Sequence, residues 1–274
     1  MTVNEMKKAA YLMRRKELDI TFNMGNVGAH IGGGLSLVEI MAVLYLDVLK
    51  LDVENLMDEK RDRLIFSKGH GTLGLYTAMW QAGILSEENL NEYKKNEGPV
   101  SAHPSKNSDM GIEFSSGSLG QGLSLGVGTC LALKRKGNSE SKTYVILGDG
   151  ECDEGSIWEA AASASAFELD NLVAIVDKNQ LQYDGTTDEI LNMGPLEEKW
   201  KSFGWDVVIC DGHNIEELQK ALHTKHDKPF VLIANTVKGK GVSFMEGNPL
   251  WHNGRLSEKQ YNQAIEEVDA AWQN

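Results

Sequence analysis

Four short apolar runs constrain this chain more than any other feature. They are Thr143–Leu147, Leu172–Val176, Trp205–Cys210 and Pro229–Ala234. Each is too short for a stable helix and apolar on successive residues, which is how a parallel strand buried on both faces reads. Helical stretches fall between them. Ile157-Trp-Glu-Ala-Ala-Ala-Ser-Ala-Ser-Ala-Phe-Glu-Leu169 is rich in small residues suited to close packing, and Asn214-x-x-Glu217 caps another helix. Strands alternating with helices predict an α/β fold, a doubly wound, mainly parallel sheet with helices on both faces. Arg63–Phe66 adds a candidate strand. The first quarter reads as helical. Thr2-x-x-Glu5 forms a capping box ahead of Met6, Ala9, Ala10 and Met13, and Ser36-x-x-Glu39 reads as a second box opening the run Leu35–Leu49. Ser257-x-x-Gln260 starts a last helix through Trp272. There is no repeat or linker, so residues 1–274 are expected to form one domain.

Composition removes several functions. With 27 Lys plus Arg against 40 Asp plus Glu, the formal charge is -13, the wrong sign for a nucleic acid partner. No apolar run approaches the ~20 residues that span a bilayer, and the N-terminus lacks the pattern of a signal peptide. Cys130, Cys152 and Cys210 are far apart and odd in number, so they predict neither a disulfide framework nor a thiolate metal site. The expected setting is the reducing cytoplasm.

Ligands of open parallel sheets bind beyond the carboxyl ends of the strands, and there the sequence places its reactive groups. Ser67-Lys-Gly-His70, Gly148-Asp149-Gly150, Asp177-Lys-Asn179 and Lys238-Gly-Lys-Gly241 each follow a strand. Asp149 and Asn179 are hard oxygen ligands one strand–helix–strand crossover apart, suited with phosphate oxygens to octahedral Mg²⁺. Gly150 lets a phosphate approach the backbone at a helix start. Asn26–Gly34 adds a loop with four glycines around His30. Taken singly, Gly-Asp-Gly is a turn and Asn179 a loop residue; the pattern gains force because 28 residues (151–178) separate Gly150 from Asn179.

That spacing resembles the signature of thiamine diphosphate enzymes, and the surrounding motifs resemble transketolase most. Gly28-Ala-His30-Ile-Gly32 is similar to the family's Ser-Gly-His-Pro-Gly, and Ser67-Lys-Gly-His70 to its Ser-x-Gly-His. Ala102-His103-Pro104 is similar to its Gly-His-Pro, and Gly117-Ser-Leu-Gly-Gln-Gly122 to its Gly-x-Leu-Gly-Gln-Gly. The resemblance implies that Asp149, Asn179 and the Leu181 carbonyl bind Mg²⁺, for which Ca²⁺ or Mn²⁺ can substitute. It implies that Gly150, Glu151 and His70 serve the diphosphate end of thiamine diphosphate, that Gly117, Ser118 and Leu119 face its aminopyrimidine, and that Tyr183 flanks the thiazolium. His30 and His103 would contact the donor sugar and move protons. His252 would touch both diphosphate and donor, and Glu154 would pair with a glutamate across an interface. For His213, His223 and His226, which match no motif, a structural or surface role is expected.

The chain departs from the family in Ala29, Ile31 and Ser118. Its length matches only the first, diphosphate-binding domain. The resemblance therefore implies the N-terminal subunit of a split transketolase, with a second chain supplying the pyrimidine-binding and C-terminal domains in a heterotetramer of two plus two. Three other readings compete. A nicotinamide dehydrogenase rests on Gly120-x-Gly122-x-x-x-Gly126 after a short Ile112–Phe114 strand. The α-chain of a thiamine-dependent 2-oxo acid dehydrogenase shares only the metal signature. A non-catalytic binding protein would keep the fold without the chemistry.

Overall fold

The computed structural model describes residues 1–273. The predicted strands form β1 (Arg63–Phe66), β2 (Thr143–Gly148), β3 (Leu172–Lys178), β4 (Asp206–Asp211) and β5 (Phe230–Asn235). They make one five-stranded sheet in the order β1-β2-β3-β5-β4, with every pairing parallel. The register pairs Gly148 with Asp177 and Asp177 with Ala234, so three strand ends lie side by side.

Alternate residues of each strand enter two separate cores, as strand geometry demands. Phe66, Tyr144, Ile146, Ile175 and Leu232 join the core of one face. That face carries α1 (Val3–Asn23), α2 (Ile31–Leu35), α3 (Val38–Val43), α4 (Thr72–Gln81), α10 (Ile215–His223) and α11 (Glu258–Gln273). Ile65, Val145, Leu147, Ala174, Val176 and Ile233 join the other, beneath α6 (Gly122–Arg135), α7 (Gly155–Ala166) and α9 (Leu196–Ser202). The short α5 (Glu87–Asn91) and α8 (Thr187–Leu191) lie in the connections. The expected α/β sheet with helices on both faces is what forms.

The predicted boxes mostly hold. Thr2 and Glu5 cap α1 reciprocally, Asn214 accepts from the Glu217 N–H, and Ser257 exchanges hydrogen bonds with Gln260. Ser36 does not form a box with Glu39. Its hydroxyl donates to Gly33 O and Asp177 Oδ2, while Glu39 pairs with Arg14 and His213. Tertiary partners outcompete the local cap, because a buried carboxylate needs a charged partner more than a helix end needs a cap. Residues 112–114 form no strand; Ile112 makes only an isolated bridge with Asn107, so the dinucleotide reading loses the strand it requires.

Gly126 lets α6 lie directly on the sheet. A Cβ there would stand 2.7 Å from Val145 Cγ2 and 3.1 Å from Leu172 Cδ1. Gly126→Val is expected to lower unfolding free energy by about 1–3 kcal/mol through overpacking. Urea denaturation checks this, and an unchanged midpoint would show that α6 can lift away freely.

Candidate active site

A cavity of about 280 Å³ opens at the carboxyl ends of β1, β2 and β3. His30, His70, His103, Gly117, Leu119, Asp149, Gly150, Glu151, Asn179, Leu181, Tyr183 and His252 all line it, with Lys68 and Gln182. Twelve residues singled out from separate motifs thus meet in one place. Ser118 is instead turned into an adjoining pocket with Ser67 and Phe114. Glu154 stands outside both pockets, exposed at the start of α7.

The imidazoles surround His30. Its ring centroid lies 5.4 Å from that of His103, 5.6 Å from His252 and 6.1 Å from His70. His70 and His252 stack at 4.8 Å, and Tyr183 meets His252 edge-on at 5.1 Å. Burial, with help from Lys94, holds the His30 pKa down at about 4. Burial and Lys238 hold His252 at about 3. Burial and Lys68 press His70 well below its usual value, and burial and Lys94 lower His103. All four rings are neutral at pH 7. His30 Nδ1 is buried with no hydrogen-bond partner, an unsatisfied atom that a ligand would satisfy.

Beneath the rings lies a satisfied polar layer. Asp177, fully buried at the end of β3, accepts from Lys68 Nζ, Ser36 Oγ at 2.6 Å, Thr236 Oγ1 and Asn179 Nδ2 at 3.2 Å. Burial raises its pKa, but Lys68 and the hydrogen bonds outweigh that and hold it below the usual range. Holding Nδ2 fixes the Asn179 amide, whose Oδ1 accepts from Leu181 N at 3.1 Å. Asp149 accepts from Gly150 N at 2.9 Å and from Gln180 N. Burial and the nearby Asp177 raise its pKa to about 6. A buried carboxylate held by backbone N–H groups alone favours a cation, and the Asp149, Asn179 and Leu181 oxygens fit a hard divalent ion. Among the described residues no three His, Cys, Asp or Glu side chains cluster as a metal site, so phosphate or water oxygens would complete such a shell.

Glu151 lines the cavity but spends its oxygens elsewhere. It accepts from Gly120 N at 2.8 Å, Gly148 N at 3.0 Å and Ser67 Oγ. It is a strut that ties the Gly117–Gly122 loop to the end of β2. Glycine is needed at position 120, where φ is +83° and a Cβ would stand 2.8 Å from the Glu154 Cβ.

The motifs leave two lysines without a role. Lys68 Nζ lies under the cavity on Gly33 O at 3.2 Å and on Asp177. Lys238, 1% exposed, reaches Leu181 O at 3.0 Å, Gln182 O at 3.2 Å and His252 Nδ1 at 3.0 Å. Burial and Lys68 lower its pKa to about 8. Both occupy motifs that follow strands, so the strand-end rule contained the signal. Lys68 is balanced by Asp177, while Lys238 meets only uncharged groups here and is a buried cation able to attract an anion. The three unmatched histidines pair as structural groups: His213 with Glu39, His223 with Asp47 and His226 with Asp206.

An α/β sheet with this constellation beyond its strand ends defines a diphosphate-type binding domain. The chain belongs to the transketolase thiamine diphosphate binding domain family, which it matches over residues 7–271. It is 42% identical to an apulose-4-phosphate transketolase subunit of Actinobacillus succinogenes, covering 98% of this chain and 97% of that one. It is 39% identical to the 6-deoxy-6-sulfo-D-fructose transketolase subunit SqwG of Clostridium sp. (strain MSTE9), covering 97% and 96%. The crystal structure of Campylobacter jejuni transketolase superposes with a TM-score of 0.88 at 30% identity, covering 98% of this chain but only 43% of that one. The chain thus spans less than half the length of that transketolase.

The His30 pKa near 4 has a thermodynamic consequence. Between about pH 6.5 and 4 the unfolded chain binds a proton that folded His30 refuses, so stability falls as pH drops through that window. In NMR titrations the His30 ring signal is expected to stay in its neutral position at pH 5.5. A midpoint near 6.5 would show the ring to be solvated.

Proposed function

We propose that this chain is the N-terminal subunit of a two-chain transketolase that transfers a two-carbon ketol unit from a ketose to an aldose acceptor. The carrying observation is the convergence of four neutral imidazoles on a pocket with an Asp149–Asn179–Leu181 oxygen set and two buried lysines. The near-complete match to two proteins named as transketolase subunits supports it. Their names concern a sugar phosphate and a sulfonated sugar, so the substrate class proposed here is a ketose with a terminal anion.

Thiamine diphosphate, when bound, supplies the electron sink that a broken C–C bond beside a carbonyl requires. Asp149, Asn179 and the Leu181 carbonyl would hold Mg²⁺, with Gly150 and His70 at the diphosphate. Gly117 and Leu119 would face the aminopyrimidine, while Ser118 faces the adjoining pocket, and Tyr183 stands beside His252. His30 and His103 bind donor hydroxyls and accept a proton as the bond breaks, a task for imidazoles kept neutral. His252, fixed by the Lys238 ammonium on Nδ1, presents its protonated Nε2 as a donor.

Cys130, Cys152 and Cys210 are free and buried, which fits work in the reducing cytoplasm. No described helix is long and apolar enough to cross a membrane. The partner would bring the carboxyl group that activates the cofactor's pyrimidine, and exposed Glu154 would pair with a glutamate across a neighbouring interface. Two copies of each chain would form the enzyme.

Asp149→Ala is expected to leave the fold intact and weaken thiamine diphosphate binding by at least about tenfold at limiting Mg²⁺. Calorimetry checks this, and an unchanged affinity would remove Asp149 from the metal site. The purified chain alone, given cofactor, Mg²⁺, a ketose phosphate and an aldehyde, is expected to show no ketol transfer, and activity should appear on adding the co-encoded pyrimidine-domain chain. Full activity of the lone chain would sink the two-chain reading.

A further inference from the structure

A second, partly buried ionic unit is built from α1, α3 and the turn before α10. Arg14 donates to Glu39 Oε1 at 2.7 Å. Glu39 Oε2 lies 2.9 Å from His213 Nδ1. The other imidazole nitrogen, Nε2, accepts the Val237 N–H at 2.9 Å. An acceptor Nε2 carries no proton, so Nδ1 does, and it donates to Glu39. Burial pushes the Glu39 pKa up, but Arg14 and His213 outweigh it and bring it to about 2, so its carboxylate is ionised. Arg14 Nε also donates to Lys240 O at 3.0 Å. The unit therefore grips the backbone on both sides of Lys238.

Lys238 is where the parts of the cavity are tied together. Its amine joins Leu181 O, Gln182 O and His252 Nδ1. The following Gly239 N–H donates to Gly32 O in the His30 loop at 3.0 Å. A shift of residues 237–240 would thus move the Leu181 carbonyl, His252 and the His30 loop together. The other imidazole–carboxylate pairs sit elsewhere: His223 meets Asp47 at 2.7 Å and His226 meets Asp206 at 3.2 Å, and none of these four residues lines the cavity.

We propose that His213, held by Glu39 and Arg14, is a positioning residue that sets Lys238 and through it the cofactor and metal loops. This rests on the reading of the cavity as the thiamine diphosphate site. Groups that orient metal-site ligands from outside typically change affinity by about 10–100-fold when lost. His213 touches neither cofactor nor substrate in this arrangement; it acts through the backbone of Val237.

Two measurements test it. In the assembled two-chain enzyme at fixed Mg²⁺, His213→Ala is expected to weaken thiamine diphosphate binding by about tenfold. His213→Gln, whose amide can accept from Val237 N–H and donate to Glu39, should restore most of that. His223→Ala, which removes a more exposed imidazole–carboxylate pair elsewhere, should leave the affinity unchanged. In the cofactor-free chain, the ¹³C signal of the Lys238 ε-methylene should move in His213→Ala and return in His213→Gln. An unchanged affinity together with an unmoved Lys238 signal overturns the proposal, as does an equal loss in His223→Ala. If the wild-type enzyme binds no thiamine diphosphate, the reading of the cavity fails, and the Lys238 signal alone then decides the positioning role. If His213→Ala does not fold, Glu39→Gln, which keeps the volume and weakens both ties, carries the same expectations.

Discussion

The buried pair of Lys68 and Asp177 is the interaction on which the rest of the site depends. Lys68 follows β1, Asp177 lies near the end of β3, and Thr236, which donates to Asp177, follows β5. Ser36, on the turn after the glycine loop, donates to the same carboxylate. One carboxylate thus joins three strand ends and the loop that carries His30. Taking two charges out of water is costly, and losing one partner of such a pair typically costs about 3–5 kcal/mol because the other is left buried and uncompensated. Here the charges are further satisfied by Ser36, Thr236, Asn179 and the Gly33 carbonyl. That completeness makes the pair a fixed point rather than a strained one.

From that point the electrostatics of the cavity follow. A chain of formal charge -13 would repel an anion at most of its surface. Lys68 is paired with Asp177, whereas Lys238 meets carbonyl oxygens and an imidazole, and burial protects the field of that second cation against screening by salt. Burial first, and the lysines second, suppress protonation of His70 and His252. A bound anion would neutralise part of the field and make these rings easier to protonate.

Close approach of backbone is the second condition. Gly33 lies where a Cβ would be 3.2 Å from His70 Cδ2, and Gly122 where it would be 2.3 Å from Ser67 Cβ. The loops bearing His30, His70 and Gly117 can interlock only because these positions lack side chains. Glu151 then fastens the Gly117–Gly122 loop with three hydrogen bonds. The side chains that line the cavity are thus carried on backbone segments that Asp177 and Glu151 fasten together.

The sequence alone determined the sheet, because apolar runs of that length, separated by helical stretches, pair as parallel strands between helices, although the run expected to be buried at Trp205–Cys210 became the edge strand β4, with Ile209 exposed. It also picked out residues that line the cavity, since strand ends dictate where ligands of such sheets bind: His30, His70, His103, Asp149 and Asn179 were all legible from motifs. It did not reveal where Ser36 and Glu39 would turn. A local capping box is a short-range preference worth about 1 kcal/mol, whereas Asp177, Arg14 and His213 come from distant segments that no local pattern contains. For the same reason the strand-end motifs that contain Lys68 and Lys238 did not show that the fold would bury them, nor that the Glu151 carboxylate would be taken up by Gly120, Gly148 and Ser67. Ser118 and Leu119 are neighbours in the chain, yet the turn sends one into an adjoining pocket and the other into the cavity. Residue identity fixes which chemistry is possible; which groups are buried, paired and aimed together is set only when strands far apart in sequence are brought side by side.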